Sequence, residues 1–467
     1  MFRTFKLSLL GLLLSGCAVV GPNYSVPEID TPQRFANGGV DALENAPSVP
    51  WWEELHDPIL NTLLERGAAQ NISIQAALSR MREAETGLRQ SGLNAQVSGD
   101  LSAESQRGQL GDITDTRSNA TFNGTYIFDL FGAIRRGQEA ADANFDAARY
   151  DVGTVRLAYL SDITSAYLNA RQFQQAAEIT RQNIRSRTLT LSLVQERLAS
   201  SAATQLELAQ ARALLRSAEA DLPAQITNFE ANVFAIATLL AEPALPLLEK
   251  LRKGAKQPVP DLATDYGVPA DLLRNRPDIR FAERNLAVAT ASVGISEAAL
   301  YPQLSLVGFV TLGVPDAWEF GPNLLFPVLN RGFLRASRDA AIEQAKQAEL
   351  AWRQSVLSAA EEVQEALSRS IHLSRQVSIQ RSAVTEARRA VTLSRELYGL
   401  NEITLTDVLD AERNALDEQL ALSDNVRDFS LAWAQLQVAT GKGWQAEILP
   451  QDEIAIAAGA QTSRKGP

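Results

Sequence analysis

The chain has 467 residues, 45% of them hydrophobic, with 55 acidic against 44 basic side chains and a formal charge of −11. That balance argues against a nucleic-acid partner, whose phosphates call for a basic surface. One cysteine and two histidines (His56 and His372) far apart in sequence leave no disulfide framework, and with no Gly-rich phosphate loop or Gly-x-Ser-x-Gly elbow neither catalysis, a cofactor nor a metal is expected.

Residues 1–6 carry two positive charges and no acid, and the apolar run 7–14 leads to Ser15-Gly16-Cys17. Residues 1–16 therefore read as a secretory signal peptide, too short to span a membrane as a helix. The small pair before the sole cysteine resembles the lipobox of bacterial lipoproteins, which implies acylation of Cys17 as the new N-terminus. Ala18 is not the aspartate that resembles an inner-membrane retention signal, so the outer membrane is the expected destination. Removal of Arg3 and Lys6 moves the formal charge from −11 to −13. No later segment has the roughly 18 consecutive apolar residues of a membrane helix, so a membrane crossing would use strands.

Residues 18–60 are rich in Pro, Gly and Asn and read as an extended lead-in whose Trp51-Trp52 pack against something later. From Gly67 apolar residues recur at three and four until Gly92 and Asn94. The period then changes to two: residues 97–104 and 119–128 alternate apolar with polar about a polar loop at 108–117, a hairpin of two strands of about ten residues each. Such strands suit a tilted membrane span, with lipid on one face and water on the other. The pattern equally fits a soluble antiparallel sheet with one buried face. From Ala133 to about Ala199 there is no proline, and the spacing predicts one helix of ~67 residues, roughly 100 Å at 1.5 Å per residue. A turn at Ser200-Ser201-Ala202 leads into a returning helix from Ala203 to about Ala241. It is shorter by about 40 Å, which a helix from Gly67 to Leu93 stacked end to end on it would supply.

The second half repeats this plan. A shift of 207 carries Asn71-Ile72 onto Asp278-Ile279 and Gln96-Val97-Ser98 onto Gln303-Leu304-Ser305. A shift of 200 carries Asp162-Ile163 onto Glu362-Val363 and Thr204 onto Thr404, and sets Glu207-Leu208 against Asp407-Val408. Pro277 opens a helix, strands follow at 304–313 and about 318–326, then helices from about Phe333 to Leu397 and from Ile403 to about Thr440. The expected segments are 17–66, a first repeat at 67–242, a linker at 243–275, a second repeat at 276–440 and a tail at 441–467. Four strands cannot close a barrel, since single-chain barrels start at eight, so a membrane reading requires an oligomer. The alternative is a soluble coiled-coil scaffold or adaptor.

Trp51-Trp52 with Asp57-Pro58, Arg276-Pro277-Asp278-Ile279 with Ala282-Glu283, Tyr301-Pro302-Gln303-Leu304, the turn from Phe326-Pro327 to Asn330, and Thr406-Asp407-Val408-Leu409-Asp410-Ala411 resemble the outer membrane factor family, the TolC and OprM group. Val20-Gly21-Pro22-Asn23-Tyr24 resembles its OprM-like lipoprotein branch. The resemblance implies a mixed α and β membrane protein. It would be a homotrimer with a 12-strand outer-membrane β-barrel, four strands per protomer, continued by a long periplasmic α-helical barrel. An equatorial belt would come from residues around 18–66, 243–275 and 441–467. Implied partners are outer-membrane lipid, a periplasmic membrane-fusion adaptor and an inner-membrane pump, most often of the resistance-nodulation-division type. The implied role is passive conduction of small toxic compounds, with type I protein secretion as the alternative. In the family the helix tips close the tube and acids near the second tip narrow it. Asp407 and Asp410 match those acids and Tyr398 the tyrosine at the preceding turn, while Arg413, three residues past Asp410, is placed to pair with it or with a neighbouring subunit. In a trimer each aspartate would form a ring of three charges. On residues alone the same acids read as a solvated helix face. Adaptor contacts fall on Ser200, Ser201 and Ala202 at the first tip and on Gly399, Leu400 and Asn401 at the second. Asn401 stands at the usual glycine and tolerates a left-handed turn; the first tip has no such residue. The second tip is therefore expected to move and gate, with the first as its wall.

Overall fold

The computed structural model describes residues 19–30, 33–36, 46–93, 96–110, 112–261, 269–313 and 316–445. The signal peptide, Cys17 and most of the C-terminal tail lie outside them. The described residues fall into two compact units: one from the segment before residue 31 with 77–152 and 277–356, the other from 31–76, 153–276 and 357 onward. Each unit therefore takes segments from both repeats.

In chain order the helices are α1 (Pro58–Gln70), α2 (Ile72–Leu93), α3 (Ala133–Ala199), α4 (Gln205–Leu239), α5 (Ala244–Leu251), α6 (Pro269–Asn275), α7 (Pro277–Ala298), α8 (Arg331–Gly399) and α9 (Leu405–Ala439). The strands are β1 (Val97–Leu110) and β2 (Ile113–Phe128) before α3, and β3 (Gln303–Gly313) and β4 (Ala317–Leu325) before α8. A shift of 200 maps α4 onto α9 from first residue to last. No described helix is long and apolar enough to cross a membrane.

The first α-helix begins at Pro58, nine positions before the Gly67 expected from periodicity. Asp57 is the reason: its carboxylate accepts from the Ile59 and Leu60 amides, and Pro58 occupies the first helical position, where it has no bond to lose. The expected helix is also interrupted at Asn71, whose side chain caps α2 by accepting from the Ile74 amide at 3.1 Å. Its own N–H closes α1 on the Gly67 carbonyl at 2.8 Å.

The first unit carries an antiparallel sheet in the order β1-β2-β3-β4. The strands of the first hairpin, 14 and 16 residues, exceed the expected ten because the segment read as a loop continues the ladder from Ser105 opposite Ser118 to Leu110 opposite Ile113. Backbone pairing needs no alternation of side chains, so polar residues on both faces conceal this stretch from periodicity. Cross-strand partners share a face, and the register sets Leu101, Phe122, Val310 and Trp318 in one row. All four are exposed, Leu101 at 72% and Trp318 at 71%. The adjacent row on the other face is Asp100, Asn123, Phe309 and Glu319. A sheet with one continuous apolar face in the open requires an apolar surround.

A strap at the N-terminus is built into the base of this unit. The buried Arg136 donates to the carbonyls of Val20 and Gly21 and, at 2.8 Å, to Asn23 Oδ1. The Val20 amide donates to the Phe131 carbonyl, just past β2. Gly21 lies so close to Gly294 of α7 that a Cβ on it would stand 2.6 Å from the Gly294 Cα.

The second unit holds a tryptophan knot. Trp51 and Trp52 are almost fully buried, as expected, and Trp51 meets Trp433 of α9 edge to face at 5.9 Å. Trp444 Nε1 donates to the Asn275 carbonyl at 2.9 Å, and the Gly443 and Gln445 amides donate to the carbonyls of Ala46 and Pro47. Buried positions of α4 recur at three and four residues, with Leu208 and Leu215, Ala211 and Ala218, and Phe229 and Ile236 each seven apart, the spacing of a helix packed along one face.

Candidate functional site at the helix tips

The two tips of the protomer are built alike, although their sequences differ. Ser201 has φ 60° and Asn401 has φ 63°, so the first tip adopts the left-handed turn its serine did not advertise. Behind each turn the helix closes in the same way: Ala202 N–H to the Arg197 carbonyl at 2.7 Å with Ser201 N–H to Leu198 at 3.0 Å, and Glu402 N–H to Leu397 at 3.0 Å with Asn401 N–H to Tyr398 at 3.1 Å. These paired bonds satisfy the last carbonyls of α3 and α8 and offset the cost of a non-glycine residue at positive φ.

Each return helix then opens on a capping box. Thr204 Oγ1 accepts from the Glu207 amide at 3.2 Å while the Glu207 carboxylate accepts from the Thr204 amide at 2.6 Å. Thr404 and Asp407 repeat this at 3.4 and 2.8 Å, with the Thr404 hydroxyl donating to Asp407 Oδ2 at 2.6 Å. The signature, Thr followed three residues later by an acid, stands in the sequence twice and gives Asp407 a local role, since it holds the start of α9. The Thr404 hydroxyl, and then its amide, hold the Asp407 carboxyl below the usual carboxylate range, and the Thr204 amide does the same most strongly for Glu207. A depressed folded-state value means that the cap's contribution is complete above the ordinary carboxylate range and is lost only as pH falls through the depressed value. Mild acid therefore leaves both caps charged.

Asp410, one turn further, accepts from Arg413 at 2.9 Å within the same helix, so of the two pairings expected for Arg413 the protomer displays the internal one. Tyr398 is buried, in a cluster with Val194, Leu208, Ala211, Leu405 and Val408. Its hydroxyl donates to Glu207 Oε1 at 3.3 Å, across the repeats. The expected tip contacts, Ser200, Ser201, Ala202, Gly399, Leu400 and Asn401, are all exposed.

Two residues escaped sequence reading. Arg197, in the last turn of α3, lies over the Tyr398 ring at 4.3 Å and donates to the Tyr398 and Gly399 carbonyls, to Asn401 Oδ1 and, at 3.2 Å, to the Ala202 carbonyl. Glu412 is buried on α9 and accepts from Thr190 Oγ1 and Arg395 Nη2, each at 2.6 Å. Its signal was its spacing: with Leu405, Val408 and Ala415 it falls on the buried stripe. Nothing local in the sequence indicated the partners of Arg197 in the second tip, which lie about 200 positions away. No group of potential metal ligands occurs among the described residues.

A sheet with an exposed apolar face, repeated long helices and capped tight tips define a strand-and-helix channel protomer. The family profile described as Outer membrane efflux protein matches residues 63–242 and 268–442, and the chain belongs to that family, a branch of the outer membrane factors expected from its motifs. It is 34% identical to Nodulation protein T of Rhizobium leguminosarum bv. trifolii over 95% of this chain and 98% of that one. Identity to the pyoverdine export outer membrane protein OpmQ of Pseudomonas putida is 32%, over 94% and 98%. Among solved structures, the outer-membrane channel OprN superposes with a TM-score of 0.82 at 27% identity, covering 91% of this chain and 99% of that chain. The expected fold class is that of these channels, and the soluble-scaffold alternative does not fit them.

Proposed function

We propose that the protein is the outer-membrane duct of a tripartite efflux system, passively conducting toxic small molecules received from an inner-membrane pump and a periplasmic adaptor. The observation that carries this reading is the four-stranded sheet: its apolar face is open, its edges β1 and β4 pair with no further strand among the described residues, and four strands are too few to close. Three copies would close a 12-strand barrel in lipid, with the helices continuing it into the periplasm. The strap at Val20 to Asn23, tied just past β2 by the Val20 amide, supports a lipid anchor on the acylated Cys17 expected from the sequence. The tryptophan knot supports the equatorial belt drawn from 17–66, 243–275 and 441–467, between repeats at 67–242 and 276–440. The exposed Leu206 and Leu400 at the tips offer apolar contacts to an adaptor.

Asp407 and Asp410 form the gate of this reading, in rings of three across the narrowed pore, with Arg413 paired to Asp410 and Tyr398 at the preceding turn. Replacing both aspartates with alanine is expected to raise single-channel conductance in planar bilayers and to abolish block by cations; unchanged conductance and block would remove the gate assignment. For the duct itself, a deletion strain is expected to accumulate dyes and antibiotics. Unchanged accumulation with loss of a secreted protein would instead favour type I secretion.

A further inference from the structure

We infer that Arg197 is a positioning residue of the gate, holding the second tip in register on the first within each protomer, a role that rests on the gate reading above. One guanidinium here collects four acceptors. Two are the Tyr398 and Gly399 carbonyls in the last turn of α8, a third is Asn401 Oδ1 in the second turn, and the fourth is the Ala202 carbonyl of its own turn. The cation thus sits at the negative end of the α8 dipole and stacks on the Tyr398 ring. A planar fork is suited to such a set, whereas a lysine ammonium is a point charge that cannot span it.

The second tip has few other ties of this kind. Tyr398 reaches Glu207 through its hydroxyl, and the apolar cluster joins the ends of α3, α4, α8 and α9 through Val194, Leu208, Tyr398 and Val408. The cluster fixes how far apart the helices lie but not their rotation or axial register, because apolar contact is non-directional. Arg197 supplies the directional bonds, and these end three to six residues before the capping box that orients Asp407. Loss of the fork would free the second turn to swing while leaving the buried cluster in place. The first tip is therefore the splint that decides where the second stands, rather than a passive wall.

The test compares Arg197→Ala and Arg197→Lys with the Asp407→Ala/Asp410→Ala double variant, each as the full-length oligomer. Readouts are bilayer conductance, sensitivity of cells to a bulky antibiotic that the outer membrane normally excludes, and the heat stability of the oligomer on gels. Arg197→Ala is expected to raise conductance several-fold and to sensitise cells with oligomer stability little changed, and Arg197→Lys to restore only a minor part of closure. Wild-type conductance in Arg197→Ala beside an opened double variant would overturn the inference and leave the gate reading standing. An opened Arg197→Ala beside an unchanged double variant would support the splint and remove the aspartate rings. Full closure by Arg197→Lys would overturn the requirement for a fork. Should Arg197→Ala fail to assemble, Asn401→Gly keeps the left-handed turn and removes one acceptor; a smaller rise in conductance is expected there, and no rise would overturn the inference.

Discussion

Gly441→Ala is expected to destabilise the folded protomer well beyond what one added methyl group usually does. Gly441 has φ +77°, and a Cβ on it would lie 2.6 Å from the Asn275 carbonyl oxygen and 2.8 Å from its carbon. Both atoms are backbone, and the oxygen also accepts from Trp444 Nε1, so the neighbour cannot turn away as a side-chain tip would. The left-handed conformation alone costs roughly 1–2 kcal/mol for a non-glycine residue, and forced overlap in a packed interior typically adds about 1–3 kcal/mol. Gly254 separates the two contributions: its φ is also +77°, and its nearest neighbour lies 4.0 Å from the added carbon. Gly254→Ala should therefore show the conformational cost only. Heat midpoints of the oligomer for the two variants measure the difference; equal midpoints would show that the knot at Asn275 yields.

Glu412→Ala is expected to destabilise the tip half of the helices by about 3–5 kcal/mol at most, the usual cost of stripping one partner from a buried ion pair. The carboxylate side chain is 1% exposed, but Arg395 is 27% exposed, and water reaching the guanidinium places the effect toward the lower end. Thr190 also loses its acceptor. Glu412→Gln retains an oxygen for Thr190 and should cost less. Replacing both charges, Glu412→Leu with Arg395→Met, should recover most of the loss, because a buried pair and an apolar pair of similar volume are often equivalent. Thermal unfolding of these variants beside the parent decides this. A double variant as unstable as Glu412→Ala would mean that the site needs its polar bonds to α3 rather than merely the absence of an unpaired charge.

The long elements were legible because their periods run unbroken. Between Ala133 and Ala199 no proline interrupts the apolar spacing, and the helix has those bounds in the structure. The strand alternation at 97–104 and 119–128 likewise predicted the face shared by Leu101 and Phe122. Periodicity failed where a backbone bond, not a buried face, decides the structure. The start at Asp57-Pro58, the break at Asn71 and the extended ladder beyond Glu104 are all of that kind. The candidate site divides similarly. Asp407, Asp410 and Arg413 were visible by spacing and resemblance, and the Asp410–Arg413 bond is local. Ser201 takes a conformation that its neighbours' hydrogen bonds impose. The arginine fork of Arg197 closes on residues from the other repeat, and neither its choice of partners nor those of Glu412 have a local signature.

The first hairpin outreaches the second. Its ladder runs on past Asn119, the outermost residue of β2 to pair with β3, and from Ser105 to Gln109 opposite Thr114 to Ser118 the ribbon beyond has no apolar side chain. In the proposed trimer the outer rim is consequently uneven, with three tall ribbons alternating with three low turns. A duplicated chain in three copies begins with sixfold pseudosymmetry, and here the rim has fallen to threefold while α4 and α9 still agree in their first and last residues. The two halves have thus drifted apart where the chain meets only water and the cell's surroundings, and have stayed alike where one helix must fit another.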